Sequence, residues 1–196
     1  FTLSSHHPFV VPEQYAATLP AGYTKIHKGV AYDDMAFRRF FERFGSEEWF
    51  RRTIFVFVAD HVSSEKFDPA TREYPGNMHI IGFLYTPDGA LHGRIGEVSQ
   101  QLDIMPTLLG LTGNREPYFA FGRDVLNEPE RPHWSVSYDG MFRAVTDGGV
   151  IAFDEERDAA STEPAGSQAD SLLSQFRALV QQYYTRIERK NYTAHD

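Results

Sequence analysis

Cysteine is absent from the chain. That excludes disulfides, thiolate metal ligands and a cysteine nucleophile, and it is compatible with an oxidising compartment without requiring one. Long apolar runs are missing too: none approaches the roughly 20 residues that span a bilayer, so no segment reads as a transmembrane helix. A basic excess is equally lacking, with 19 Lys and Arg against 27 Asp and Glu and a formal net charge of −8. Binding to a phosphate backbone needs clustered cations, so no nucleic-acid partner is expected. There is no Gly-rich phosphate loop, serine nucleophile elbow, internal repeat or low-complexity tract. The chain opens on Phe1 without a methionine, a basic leader or an apolar signal region, and reads as a piece of a longer protein. Its 196 residues suffice for one domain with a real core, or for a large part of one.

What is present centres on Thr53 to His61, TIFVFVADH. From Ile54 to Ala59 the run is apolar without alternation, which predicts a central strand covered on both faces, as in a parallel sheet. Asp60 and His61 fall where that strand leaves the sheet, the position at which open α/β folds bind ligands. One hard oxygen beside one imidazole nitrogen suits Zn²⁺ or Mn²⁺ and tolerates other divalent ions. The residues alone leave a second reading open, a strand-ending turn in which Asp60 caps and His61 packs.

Phe1 to Ser5 reads as the tail of a strand, followed by His6-His7-Pro8-Phe9. Pro8 restricts His7 to an extended backbone, so both imidazoles are expected on a stiff turn at a strand end. The alternative leaves one histidine exposed and packs the other against Phe9. Pro12 to Lys28 reads as a surface excursion. Ala31 to Phe44 reads as a helix, with Phe37, Phe40, Phe41 and Phe44 on one face, Asp33 and Asp34 at the positive end of its dipole and Gly45 as its stop. Arg38, Arg39, Arg43, Arg51 and Arg52 would suit a membrane-surface helix. Core packing is the preferred reading, because the helix leads straight into the buried strand.

Val62 to Asn77 is a polar loop of a length that is more often functional than idle. Ile80 to Tyr85 is a second apolar strand, with His79 entering it and expected to face the core, and His92 is expected to be solvated. Gly96 to Gly113 holds a helix capped by Asp103 or Ser99, with Pro106 tolerated in its first turn, a buried stripe of Ile104, Leu108, Leu109 and Leu111, and Gly110 or Gly113 as its end. Trp134–Tyr138, Met141–Thr146 and Val150–Phe153 read as three strands joined by Asp-Gly and Asp-Gly-Gly turns. Glu155 to Gly166 reads as a linker, and Leu172, Leu173, Phe176, Leu179, Val180, Tyr183, Tyr184 and Ile187 mark a closing amphipathic helix over 167–190.

The order SSHHPF, a Tyr-Asp helix, TIFVFVADH, SQQLDIMPTLLGLTG and FGRDV at Phe121 to Val125 resembles the C-terminal part of the sulfatase-like catalytic domain of the alkaline phosphatase superfamily. The nearest look is to its lipoteichoic acid synthase and phosphoglycerol transferase branch. The resemblance implies an α/β sandwich of helices around a mostly parallel sheet, with a small antiparallel C-terminal meander and a closing C-terminal helix. The expected layout is a core sheet with the metal-site segments over 1–126, antiparallel strands over 133–154 and the helix over 167–190, all belonging to one domain whose upstream half lies outside the chain. It implies that Asp60 and His61 hold one divalent ion, with Mn²⁺ favoured over Mg²⁺, Ca²⁺ or Zn²⁺. It places His6 in the substrate pocket, in contact with the transferring group or protonating the leaving oxygen, and leaves His7 as its rival. The family's Thr nucleophile and first metal acid would precede Phe1, and no residue of this chain replaces them.

The implied substrate is a phosphate or sulfate ester, a phosphoglycerol lipid head group before a sulfated glycan. The implied setting is the cell envelope, on the outer or periplasmic face of the cytoplasmic membrane and anchored upstream. A rival of another class is a non-catalytic binding or assembly module. Sheet edges left without partners make self-association of the chain an expected liability.

Overall fold

The computed structural model describes residues 2–65, 68–157, 159–163 and 169–193. It divides into two compact units, Phe1–His92 and Gly93–Asp196. Residues 93–126, expected in one core with the metal-site segments, belong to the second unit. Both units mix helix and sheet, in keeping with the α/β class.

The first unit contains α1 (Glu13–Ala16), α2 (Lys25–Phe44), α3 (Glu48–Arg51), β1 (Phe55–Val58) and β2 (Gly82–Tyr85). Thr2 to Ser5 is not a strand; Ser4 and Ser5 begin a turn instead. Helix α2 starts six residues before the position expected from its phenylalanines. Its first turn is fixed by capping: the Thr24 backbone N–H donates to His27 Nδ1 at 3.1 Å, a local bond that leaves no apolar period to read. Asp33 and Asp34 therefore lie in the third turn of α2, beyond the reach of the dipole's positive end. Phe37, Phe40, Phe41 and Phe44 do form the packing stripe: Phe41 lies 5.3 Å from the Phe55 ring and Phe37 lies 5.2 Å from Phe57. This packing answers the membrane-surface alternative in favour of the core.

The sheet of this unit departs from the parallel arrangement. β1 pairs with β2 antiparallel, Phe55 opposite Tyr85 and Phe57 opposite Phe83, as a two-stranded ribbon among the described residues. A parallel return needs a crossover, usually a helix. Between the two strands there are only short 3₁₀ turns, Pro69–Thr71 and Gly76–Met78, which fold the chain back on itself. The ribbon is then locked by the stacked pair Phe57 and Phe83, 4.8 Å apart. His79 is exposed, contrary to the core position expected for it, and His92 is exposed as expected.

The second unit begins with a 3₁₀ turn, Gln101–Asp103, running into α4 (Ile104–Leu111). Asp103 stands at the cap position of α4 without capping it through its side chain; instead it closes the capping box of the preceding turn, Oδ2 accepting the Gln100 backbone N–H at 2.9 Å, while Oδ1 accepts that of Arg123 at 2.8 Å. Gly113, with φ +71°, ends the segment in a conformation that a side chain would strain. Strands β3 (Trp134–Tyr138), β4 (Phe142–Thr146), β5 (Gly149–Asp154) and β6 (Ala159–Glu163) form an antiparallel meander in that order. The fourth strand was not expected, since residues 155–166 read as a linker. β6 is an edge strand held by backbone pairing to β5, and its small, largely exposed side chains carry no apolar alternation. Helix α5 (Ala169–Arg189) closes one face, burying Phe176 and Val180 against Phe142, Ala144 and Ile151.

Candidate active site

The two histidine-bearing corners predicted from sequence both belong to the first unit. At the exit of β1, Ala59 extends the ribbon by donating its N–H to the Ile81 carbonyl at 3.1 Å, and the chain then turns away. Asp60 and His61 are solvent-facing there, with side chains 62% and 69% exposed. The inward orientation that would have made Asp60 a core residue is therefore not adopted. Asp60 Oδ1 accepts the His61 backbone N–H at 3.0 Å, so the capping reading of this carboxylate also holds locally. His61 Nδ1 donates to the Val62 carbonyl at 2.7 Å. A carbonyl only accepts, so the hydrogen is on Nδ1 and, in the neutral ring, the lone pair is on Nε2. That nitrogen lies 3.8 Å from Asp60 Oδ2.

His6 is built the same way. Its Nδ1 donates to the carbonyl of the following residue, His7, at 2.8 Å, which again leaves Nε2 outward. The turn is tied by His6 N–H to the Leu3 carbonyl at 3.0 Å and Phe9 N–H to the His6 carbonyl at 2.7 Å. His7 meets the edge of the Phe9 ring at 5.6 Å while remaining exposed, as the alternative reading of the pair described. The His7-Pro8 bond is cis, and Phe9 sits at φ +61°, a left-handed backbone that is uncommon for an aromatic residue and recurs at functional turns.

Two sets of contacts relate α2 to the segments that carry the corners. As β1 advances from Phe55 to Phe57, its contacts step back along α2 from Phe41 to Phe37, so strand and helix run in opposite directions. In the N-terminal half of α2 the partner is the turn before His6. There Gly29 is buried, and a Cβ added to it would lie 2.1 Å from the Ser4 carbonyl oxygen. Only glycine lets the turn before His6 sit down on the helix. Between these two contacts on the same stripe lies Asp33, 9% exposed, with no partner for its carboxylate among the described residues. Sequence reading assigned Asp33 to the helix end; the available signal was its spacing of four from both Gly29 and Phe37.

The donor set is compatible with half of a metal shell. An outward carboxylate and an imidazole whose Nδ1 is tied to a carbonyl are the groups that hard and borderline divalent ions take. Two donors do not complete a site, and among the described residues no group of three or more His, Asp or Glu is arranged to hold an ion. His6 and His7 are not brought into such a group with Asp60 and His61. No helix of the described residues is long and apolar enough to cross a membrane.

Comparisons with known proteins bear on the same segments. The family model described as Sulfatase matches residues 1–114, a span that holds both corners and Asp103. The lipoteichoic acid synthase-like YvgJ of Bacillus subtilis (strain 168) is 26% identical over 161 residues. The alignment covers 72% of this chain and 26% of that relative, so the chain spans about a quarter of its length. No solved structure matches.

Proposed function

The chain belongs to the sulfatase family, and on that premise we propose that it forms the C-terminal part of a metal-dependent catalytic domain acting on phosphate or sulfate esters. The favoured activity is transfer of a phosphoglycerol head group, which fits the name of the Bacillus relative. The observation that carries the reading is the pair at the strand exit: Asp60 and His61, both outward, with Nε2 and Oδ2 3.8 Å apart and Nδ1 fixed by Val62. These two residues would hold the divalent cation, Mn²⁺ before Mg²⁺, Ca²⁺ or Zn²⁺. Such an ion, when bound, neutralises charge on the transferring group and lowers the basicity demanded of the nucleophile.

His6 is the proton donor to the leaving oxygen in this proposal. Its Nδ1 is committed to His7, so Nε2 is the atom that exchanges the proton, and imidazole is suited to that because its charge changes near neutral pH. His7, turned against Phe9, borders the substrate. The Thr nucleophile and the first metal acid come from residues preceding Phe1 in the intact protein. That protein works at the cell envelope, as its relationship to a lipoteichoic acid synthase-like protein suggests. The family description favours a second reading, hydrolysis of a sulfate ester on a glycan. Release of sulfate from a sulfated sugar, with no release of glycerol phosphate from phosphatidylglycerol, would select it.

The test is calorimetric titration of Mn²⁺ into the full-length protein and its Asp60→Ala variant. Binding weaker by at least about tenfold is expected, because loss of one carboxylate ligand removes more than 1.4 kcal/mol. Equal affinity removes Asp60 from the site. His6→Ala should lower turnover while sparing metal affinity; lost metal with unchanged turnover per bound ion would make His6 a ligand instead.

A further inference from the structure

The second unit carries a feature that the proposed chemistry does not use. Phe119, Phe121, Tyr183, Tyr184, Phe142 and Tyr138 form a continuous file of rings, with successive centroids 4.9, 6.0, 5.6, 6.0 and 4.8 Å apart. The file surfaces at its tyrosines: Tyr138 is 62% exposed, Tyr183 44% and Tyr184 40%. At Tyr184 it meets an open groove of about 470 Å³ on the face of β5 and α5. Phe153 and the buried Val180 contribute its apolar floor, and Glu155, Arg177, Gln181 and Glu188 its polar walls. The Arg177 guanidinium carbon lies over the Phe153 ring, 5.0 Å from its centroid. The Tyr184 hydroxyl donates to Glu155 Oε2 at 3.0 Å.

The lining decides between ligand classes. Exposed tyrosines with a polar rim suit proteins, lipid surfaces and sugars alike. A dry protein interface disfavours carboxylates, and here Glu155 and Glu188 both line the groove. An anionic lipid surface or polyanion is disfavoured by the same two carboxylates and by the chain's net charge of −8. A neutral sugar meets neither objection. The C–H face of a pyranose carries partial positive charge and lies against the negative face of an aromatic ring, while its hydroxyls pair with carboxylate, amide and guanidinium groups.

We propose that this groove of the second unit and its exposed tyrosines bind a neutral oligosaccharide, a proposal independent of the reading given to the Asp60–His61 corner. Tyr184 stacks a sugar ring, and Glu155 and Gln181 accept and donate to its hydroxyls.

The experiment is NMR titration of the intact chain with cellotriose, maltotriose and chitotriose, in parallel with sedimentation against phosphatidylglycerol vesicles. At least one trisaccharide should saturate, perturbing residues of α5 and β5. Tyr184→Ala and the exposed-surface variant Gln181→Ala should each weaken it at least about fivefold, about 1 kcal/mol. Tyr23→Ala, altering a ring that is 94% exposed in the first unit, should leave it unchanged. Absence of saturable binding by all three sugars overturns the proposal, as does binding undiminished in Gln181→Ala. Vesicle binding without sugar binding assigns the surface to lipid and overturns it equally.

Discussion

The two units use aromatic residues in opposite ways. In the second, α5 lies on the meander and five apolar side chains fall below 9% exposure: Phe142, Ala144, Ile151, Phe176 and Val180. In the first, at least as many rings touch one another, yet Phe50 is the one hydrophobic side chain buried to that degree among the described residues. Phe83 is 51% exposed, Val58 42% and Phe37 39%. One face of the β1–β2 ribbon is covered by α2, while the apolar pattern of β1 asks for cover on both. Ring contact is therefore not burial. The unit that bears the histidine corners is the open one, and the unit without them has the closed core.

The sharpest way to break that contrast is by truncation. Phe176→Ala should destabilise the unfolding transition of the second unit by about 3–5 kcal/mol, since a fully buried ring leaves a cavity. Phe41→Ala, half-buried but in contact with Phe50, Phe55, Phe57 and Tyr85, should cost roughly half as much because it removes less area from water. Thermal and urea denaturation measure both. Equal losses would mean that the first unit is as closed as the second.

Buried carboxylates sharpen the same contrast at smaller amplitude. Asp103, 5% exposed, satisfies two backbone amides, so Asp103→Asn should cost about 1.5–3 kcal/mol. Asp33, 9% exposed and without a partner for its carboxylate, should be neutral or gain up to about 1 kcal/mol as Asn. A loss at Asp33 comparable to that at Asp103 would show that its charge is compensated.

The smallest effects come from two surface tyrosines displaced in opposite directions. In the first unit, Arg39 donates to the Tyr15 hydroxyl at 3.0 Å, and its hydrogen bond and charge hold that phenol below its ordinary 10.0. In the second, donation to Glu155 holds the Tyr184 phenol above 10.0. The signs differ accordingly. Tyr184 stabilises the fold below pH 10.0, and the contribution is lost as pH rises through its raised value. Tyr15 stabilises it above pH 10.0, and the contribution is lost as pH falls through its lowered value. Ultraviolet titration should show Tyr15 ionising first, with Arg39→Ala and Glu155→Gln bringing the two curves together.

Much of the candidate site was legible because local chemistry fixes it. A greasy run that ends in Asp60-His61 turns where it leaves the ribbon, as its sequence indicates, whereas the turn of His6 to Pro8 follows no strand. The hairpins at Asp139-Gly140 and Asp147 to Gly149 and helix α5 followed from turn residues and period in the same way. Side chains alone could not give β6, which is held by backbone bonds and has no apolar face.

The sequence by itself determined the phenylalanine stripe of α2, the three hairpin strands from Trp134 to Phe153 and helix α5. Such features depend on neighbours a few residues away. The tertiary structure decided that β1 and β2 pair antiparallel, that Asp33 is buried on α2 between Gly29 against Ser4 and Phe37 against Phe57, and that His79 faces solvent. Those outcomes depend on contacts between residues far apart in the chain, where many partners are chemically equivalent and only the packed arrangement selects among them.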